Sequence, residues 1–312
     1  MKMKAMSCGL TMMFLAAGVS AQQRPQQRPK ITSISSLSIF ATDEAKTESF
    51  FVHDLGALKG PDPQNPAGSR YYFNATQFIE VLPLPAADAA SVNRLDHVGF
   101  NTTNTEDMRR YLGAHAVAVP AAVTSASDGS QYFEVKDPEG NRVQFVQPPK
   151  HPGSVPANPL SEHVIHVGYI VHDATAEDAF YREVLGFRPY WHGGMKEGTT
   201  DWVSQQVPDG TDWIEYMMVE SPEKTGIPPT MTQERVGVLD HFALGVQNME
   251  KSVDLLYEGD RLTAKHSPAQ IGRDGKWQFN MYAPDGTRVE LMEFQPSVKP
   301  CCSPFMLPSP KK

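Results

Sequence analysis

Two histidines and two glutamates in this chain share one spacing, used twice. His166 lies inside the apolar run Val164-Ile165-His166-Val167-Gly168-Tyr169-Ile170-Val171, and Glu215 follows it by 49 residues; His241 lies inside Leu239-Asp240-His241-Phe242-Ala243-Leu244-Gly245-Val246, and Glu290 follows it by 49 residues. A lone histidine in a strand is more often packed than ligating. The matched repeat favours one shared site, with His166, Glu215, His241 and Glu290 as its metal ligands. Two imidazoles and two carboxylates suit a single borderline divalent ion, zinc, nickel, iron(II), cobalt or manganese, without a thiolate.

The period of two in a strand decides where these side chains point. Ile165, Val167, Tyr169 and Val171 are expected on one packed face, leaving His166 opposite with Gly168 and Ile170; Phe242, Leu244 and Val246 leave His241 opposite, beside Ala243 and Gly245. Small residues beside each histidine are read as room for a ligand. Trp213, Met217, Met292 and Phe294 sit on the strands of the acids and read first as core and second as substrate contacts. Arg273 and Lys276 read as solvated loop residues that could also meet an anionic substrate, and His192 as a solvated loop residue.

The strand pattern recurs at Ser36-Leu37-Ser38-Ile39-Phe40 and Leu95-Asp96-His97-Val98-Gly99-Phe100, giving four copies. Each is followed by apolar residues at helical spacing that stop at Gly56, Gly113, Gly186 and Gly259, with Thr42, Thr105, Thr175 and Asn248 as expected N-caps. Three copies then carry a turn (Asp137-Pro138-Glu139-Gly140, Pro208-Asp209-Gly210, Ala283-Pro284-Asp285-Gly286) into a terminal strand, and each has space for two further strands, so the module is βαβββ. In the N-terminal half the equivalent positions are expected at Ser38, Glu80, His97 and Gln144. One of each ligand pair is replaced there, the mark of a degenerate or structural site.

A length of 312 residues sets a prior of about two domains. With 28 Lys plus Arg against 36 Asp plus Glu, a net charge of −8 gives no basis for nucleic-acid binding. Residues 1–21 carry Lys2 and Lys4, an apolar run from Gly9 to Gly18 and a small-residue end at Val19-Ser20-Ala21, the layout of a cleavable secretory signal. The run is short of the roughly 20 residues an anchor needs, so a periplasmic or extracellular protein without a membrane anchor is expected. The expected division continues with a flexible N-terminus at 22–30, an N-terminal domain at 31–147, a Pro-rich linker at 148–160, a C-terminal domain at 161–296 and a loose Pro-rich tail at 297–312. Cys301 and Cys302, adjacent in that tail, read as incidental thiols or else as a metal or cross-linking pair, and the body of the protein carries no cysteine.

With these modules in place the sequence resembles the vicinal oxygen chelate superfamily, which includes glyoxalase I, extradiol ring-cleaving dioxygenases and the bleomycin and fosfomycin resistance proteins. The resemblance covers residues 34 to 295 and is strongest over Val164 to Gly186, including Ala179-Phe180-Tyr181-Arg182-Glu183-Val184-Leu185-Gly186, and over Tyr282 to Phe294. It implies an α+β fold of four modules paired into two domains, each an eight-stranded mixed sheet curled around a cavity with helices outside, and convergence of His166, Glu215, His241 and Glu290 in the C-terminal cavity. It further implies one divalent metal ion holding neighbouring oxygens of a small-molecule substrate, with Glu290 or Glu215 as catalytic base in a glyoxalase-like lyase or isomerase. The arginine that glyoxalase I tends to carry after its first ligand is replaced here by Ile170 and Val171, and by Gly245 and Val246. An extradiol dioxygenase, with iron(II) on His166, His241 and Glu290, is the second reading. Arg273 and Asn280 stand where its reactive histidine and tyrosine are expected, and Glu215 where an acid–base histidine is expected. A non-catalytic sequestering protein of the resistance type is the third, with the N-terminal half as its candidate. Substrate, metal identity and oligomeric state are left open.

Overall fold

A computed structural model describes residues 27–219 and 237–311. The expected signal at 1–21 lies outside the described residues, as does most of 22–30. The period-two runs fold as strands and the chain forms four successive βαβββ modules. The first holds β1 (Ile31–Ala41), α1 (Glu44–Ser49, continued by a π-helical turn over Phe50–Asp54), β2 (Leu58–Pro61), β3 (Ser69–Asn74) and β4 (Gln77–Pro83). The second holds β5 (Leu95–Thr102), α2 (Thr105–Ala114), β6 (Thr124–Ser125), β7 (Gln131–Lys136) and β8 (Arg142–Gln147). The third holds β9 (Val164–Val171), α3 (Ala174–Asp178, with a π-helical turn over Ala179–Val184), β10 (Arg188–Gly193), β11 (Trp202–Gln206) and β12 (Trp213–Met218). The fourth holds β13 (Leu239–Val246), α4 (Met249–Glu258), β14 (Gln270–Ile271), β15 (Trp277–Tyr282) and β16 (Arg288–Glu293). No helix among the described residues is long and apolar enough to cross a membrane.

Modules pair into two eight-stranded mixed sheets, ordered β2-β3-β4-β1-β5-β8-β7-β6 and β10-β11-β12-β9-β13-β16-β15-β14. At the centre of each, the first strands of two modules run antiparallel, β1 with β5 and β9 with β13, and each runs parallel to the last strand of its own module. That arrangement sets each histidine strand beside the strand of its acid. The architecture is the expected α+β pair of curled sheets.

Helix ends depart from expectation in detail. Asp43, Asn104 and Asp173 cap the first three helices in place of Thr42, Thr105 and Thr175, because their side-chain oxygens reach the N–H groups of Lys46, of Asp107, and of Thr175 and Ala176; Asn248 caps α4 as expected. Gly56 and Gly186 close the first and third helices in the left-handed conformation at φ 72° and 78°, whereas the second and fourth turn on Ala116 and Asp260 at φ 62° and 52°. Modules one and three are thus alike, and so are two and four. The repeating unit is the whole two-module half.

One apolar core runs through both halves. Phe51 stacks on Tyr71 of its own sheet at 4.9 Å and faces Phe242 of the other at 6.4 Å, and Phe100 meets Phe187 edge-on at 5.3 Å. A smaller cluster of Ile165, Tyr190, Trp191, Trp213, Ala243, Met292 and Phe294 lies on the opposite side of the C-terminal sheet. Ile165 was expected with Val167 and Tyr169; a register shift between Ala243 and Leu244 breaks the alternation at this point, so Val164 joins the main core and Ile165 the smaller cluster.

The C-terminal segment, expected to be loose, is instead strapped along β10. Phe305 packs on Tyr190 at 4.9 Å, the hydroxyls of Tyr190 and Ser309 bond at 2.6 Å, the Met306 N–H donates to the Tyr190 carbonyl at 2.9 Å, and Gln206 Nε2 donates to the Pro308 carbonyl at 2.9 Å. A chain this rich in proline cannot supply a regular ladder, so side chains and single backbone bonds hold it to the sheet edge. Cys301 and Cys302 form a disulfide with each other and are not free thiols. Pro148 to Val155 borders a cavity of about 320 Å³ with Arg70, Tyr72 and Phe78.

Candidate metal centre

All four candidate ligands meet on the concave side of the C-terminal sheet. His166 Nε2 and His241 Nε2 face each other at 2.7 Å, and Glu290 Oε2 lies 3.4 Å from the first and 3.5 Å from the second. Glu215 Oε2 lies 3.5 Å from His241 Nε2. The donor atoms of His166, His241 and Glu290 form a close-set group, all within 4.8 Å of one another, with Glu215 at its edge. The side chain of Glu215 is 13% exposed, against 0% for His166 and 1% for His241. Gly168 admits this geometry: a Cβ there would sit 2.3 Å from His241 Cε1. The small residue beside His166 therefore makes room for the ring of the second histidine, not for a ligand as expected.

A charged layer lies behind His241. His241 Nδ1 lies 2.6 Å from Asp240 Oδ2 and 2.7 Å from Arg288 Nη2, which pairs with that same carboxylate oxygen, so Nε2 is the ring nitrogen turned to the other candidate ligands. Ser204 Oγ donates to Glu215 Oε1 at 3.3 Å, and the Trp213 ring lies 4.6 Å from that of His166. Asp240 and Arg288 were not singled out from the sequence. A signal existed, since Leu-Asp-His occurs at both 95–97 and 239–241 and an arginine opens both β8 and β16.

Burial pushes His166 down to about 4, keeping it neutral as a ligand must be. Burial alone would raise Glu290, but the hydrogen bond with His166 and the positive surroundings that include Arg288 hold it down at about 2. Burial and the charge of Glu290 push Glu215 up to about 8. Burial also opposes ionisation of Asp240, yet the Arg288 guanidinium and the bond from His241 outweigh it and keep this carboxyl well below the usual range. Two imidazoles and two glutamates gathered at one place match a divalent ion in donor chemistry, so these residues fit the metal that the donor set implies.

The centre opens into a cavity of about 480 Å³ whose walls include Tyr190, Trp191, Trp202, Trp213, Met217, Met292 and Phe305, with Arg273, Asp274 and Asn280 among its polar residues. Trp213, Met217 and Met292 thus reach the cavity, whereas Phe294 packs near His163 with ring centres 5.9 Å apart. Lys276 is not a solvated loop residue. It is buried, with Nζ 3.3 Å from the Tyr190 hydroxyl and over the rings of Trp213 at 4.8 Å and Phe305 at 5.0 Å, and burial lowers it to about 8. His192 is exposed on β10 and lines a neighbouring outer cavity of about 650 Å³ with Arg273, Cys301 and Cys302, apart from the ligands.

Strand register identifies the matching positions in the N-terminal half. Glu80 stands opposite Ser38 as Glu215 stands opposite Gly168, and Gly99 stands opposite Ser36 as Ala243 stands opposite His166. The counterpart of His166 is therefore Ser36, not the expected Ser38. Glu80, His97 and Gln144 match Glu215, His241 and Glu290 as expected. Arg70 lies opposite Glu80 where Ser204 lies opposite Glu215. Its guanidinium pairs with Asp62 at 3.0 Å and lies 3.9 Å from Glu80, while Gln144 and Gln64 exchange amide hydrogen bonds at 2.9 and 3.2 Å.

Residues 163–291 match the model of the Glyoxalase/Bleomycin resistance protein/Dioxygenase superfamily. Among solved structures, the chain is similar to a 2,3-dioxygenase from Pseudomonas sp. KL28, at 14% identity and a TM-score of 0.63 over 89% of this chain and 98% of that one. It is also similar to the Mn(II)-bound glyoxalase from Novosphingobium aromaticivorans, at 13% identity and 0.62 over 85% and 83%, and to homoprotocatechuate 2,3-dioxygenase from Brevibacterium fuscum, at 17% and 0.58 over 86% and 82%. At these identities the likeness carries the fold alone. No curated protein sequence matches the chain.

Proposed function

We propose, proceeding from a C-terminal half that is a domain of the glyoxalase, bleomycin resistance and dioxygenase superfamily, that this protein is a metal-dependent enzyme of the glyoxalase-like lyase or isomerase kind. When bound, a divalent ion would supply Lewis acidity to two neighbouring oxygens of a small substrate. His166, His241 and Glu290 would hold it, and Asp240 with Arg288 fixes the ring of His241. Glu215 would take a proton from the carbon that bears one of those oxygens and return it to the carbon that bears the other, while the hydroxyl proton passes between the two oxygens. Trp202, Trp213, Met217 and Met292 bind the apolar part of the substrate and exclude water. Residues 1–21 direct the protein out of the cytosol, and a disulfide between Cys301 and Cys302 accords with an oxidising compartment.

The observation that carries this reading is the placement of Glu215, at the edge of a close-set three-donor group and on the wall of the cavity. A carboxylate there can face either the ion or the substrate. The close-set group also favours a second reading, an extradiol-type dioxygenase, since two histidines and one carboxylate suit iron(II) with open positions. The polar cavity residues Arg273 and Asn280 are poor proton donors and acceptors for that chemistry.

Elemental analysis comes first, with one equivalent of metal per chain expected. Proton transfer is then read by NMR as deuterium uptake from D2O into a panel of 2-oxoaldehydes and 2-hydroxyketones, and is expected to vanish in Glu215→Gln. Oxygen consumption with catechols by the iron(II)-loaded protein in place of such exchange establishes the second reading, and a protein that takes up no divalent metal sinks both.

A further inference from the structure

Resting on the metal-centre reading above, the geometry points to Arg273 as a subsite for a carboxylate that the substrate carries away from its neighbouring oxygens. Arg273 lies on the short loop joining β14 to β15 and lines both the metal cavity and the outer cavity, so it stands at the passage between them. Its position is fixed by contacts that leave its charge unspent. Nε donates to the Gly194 carbonyl at 2.9 Å, Nη2 approaches Cys302 Sγ at 3.8 Å, and the Arg273 carbonyl accepts from the Cys301 N–H at 2.9 Å. No carboxylate of the described residues lies within 4.0 Å of the guanidinium. The strap and its disulfide therefore hold the guanidinium fork at the cavity mouth.

The charge balance of the cavity singles out the same residue. A divalent ion is matched by Glu215 and Glu290, Arg288 is matched by Asp240, and Asp274 offsets Lys276, which is in any case packed among rings. Arg273 is the cation left over. Glu197, an acid on the outer cavity, is exposed, as Arg273 itself is, and the two form no ion pair. Trp202, Trp213, Met217 and Met292 line the metal cavity together with it, giving apolar walls in a volume of about 480 Å³ that suits a single ring with a short side chain. A planar fork recognises a carboxylate bidentately, which a lysine cannot reproduce. The substrate class is thus a compact, flat or aromatic molecule with two adjacent oxygens at one end and a carboxylate at the other.

Isothermal titration calorimetry of the zinc-loaded protein tests this without turnover. The probes are catechol and three carboxylated catechols: 3,4-dihydroxybenzoate, 3,4-dihydroxyphenylacetate and 3-(3,4-dihydroxyphenyl)propionate. At least one carboxylated probe is expected to bind about tenfold or more tighter than catechol, a hydrogen-bonded charge being the difference. In Arg273→Gln that ratio falls to near one, and Arg273→Lys restores part of it. The proposal is overturned if no carboxylated probe outbinds catechol, or if the preference survives Arg273→Gln. Catechol bound by the zinc-loaded protein but not by the metal-free protein keeps the metal-centre reading standing in either case. Absence of any binding to the loaded protein overturns the subsite alone, whereas a protein that takes up no zinc sinks the metal-centre reading and the subsite together.

Discussion

Where the C-terminal half carries His166, the N-terminal half carries Ser36; where it carries Glu290, the other carries Gln144; and where Ser204 stands beside Glu215, Arg70 stands beside Glu80. The layer behind these positions is kept. Asp96 bonds His97 at 2.8 Å and Arg142 at 2.6 Å, just as Asp240 serves His241 and Arg288. Both halves therefore orient a histidine in the same way, but only one surrounds it with a full donor set. In the other, a guanidinium provides the positive charge and an amide pair occupies the fourth position. The same sheet closes around either solution, so the ion is not what shapes the fold.

The largest effect should come from His241→Ala, which is expected to weaken metal binding by more than about 100-fold, beyond what loss of a supporting partner costs. His97→Ala should leave metal content at one equivalent; elemental analysis after dialysis reads both, and equal losses would erase the distinction between the halves. Arg70→Met strands Asp62 and Glu80 in a buried site and should cost about 3 kcal/mol of stability, seen in chemical denaturation, with metal content unchanged. Combining Arg70→Ser with Ser36→His and Gln144→Glu rebuilds the donor set, and a second bound equivalent is the expected result. Asp240→Asn should weaken metal binding by about 10- to 100-fold, while Asp96→Asn leaves it unchanged, as competition against a chelator would measure.

The smallest effect concerns protons. Glu215 holds its proton up to about pH 8 because burial and Glu290 raise it, and the ion must displace that proton. Apparent metal affinity should therefore rise by up to about tenfold per unit as pH approaches 8 from below, then level off. In the ion-free protein the sign is opposite: a carboxyl whose folded value is raised is protonated in the folded chain and ionised in the unfolded one, so stability falls as pH climbs from about 4.5 to 8. Glu215→Gln should flatten both slopes, and titrations at pH 6, 7 and 8 suffice to see it.

The gathering of the four candidate side chains and the four modules were legible because both rest on local patterns, a period of two and a spacing used twice. Matching the degenerate site was harder. In β1 the serines at 33, 35, 36 and 38 tolerate a shift of two without changing face, and only pairing with β5 shows that Ser36 is the counterpart of His166. The role of Asp240 and Arg288 was half visible, in repeated short motifs, but their meeting depends on the parallel register that sets His241 opposite Arg288. The strap and its disulfide were not legible at all. Nothing in a Pro-rich segment announces that the edge of β10 will receive it through Tyr190.

Because Phe51 faces Phe242 within one continuous core, the halves have little freedom to melt apart. Ligand free energy gained at one end is then shared by the whole chain: at a concentration 100 times its dissociation constant, an ion stabilises the folded state by about 2.7 kcal/mol. Calorimetry should show a single transition that moves upward as a unit on metal addition. The half that lacks the donors would, in this sense, be insured against unfolding by an ion it never touches.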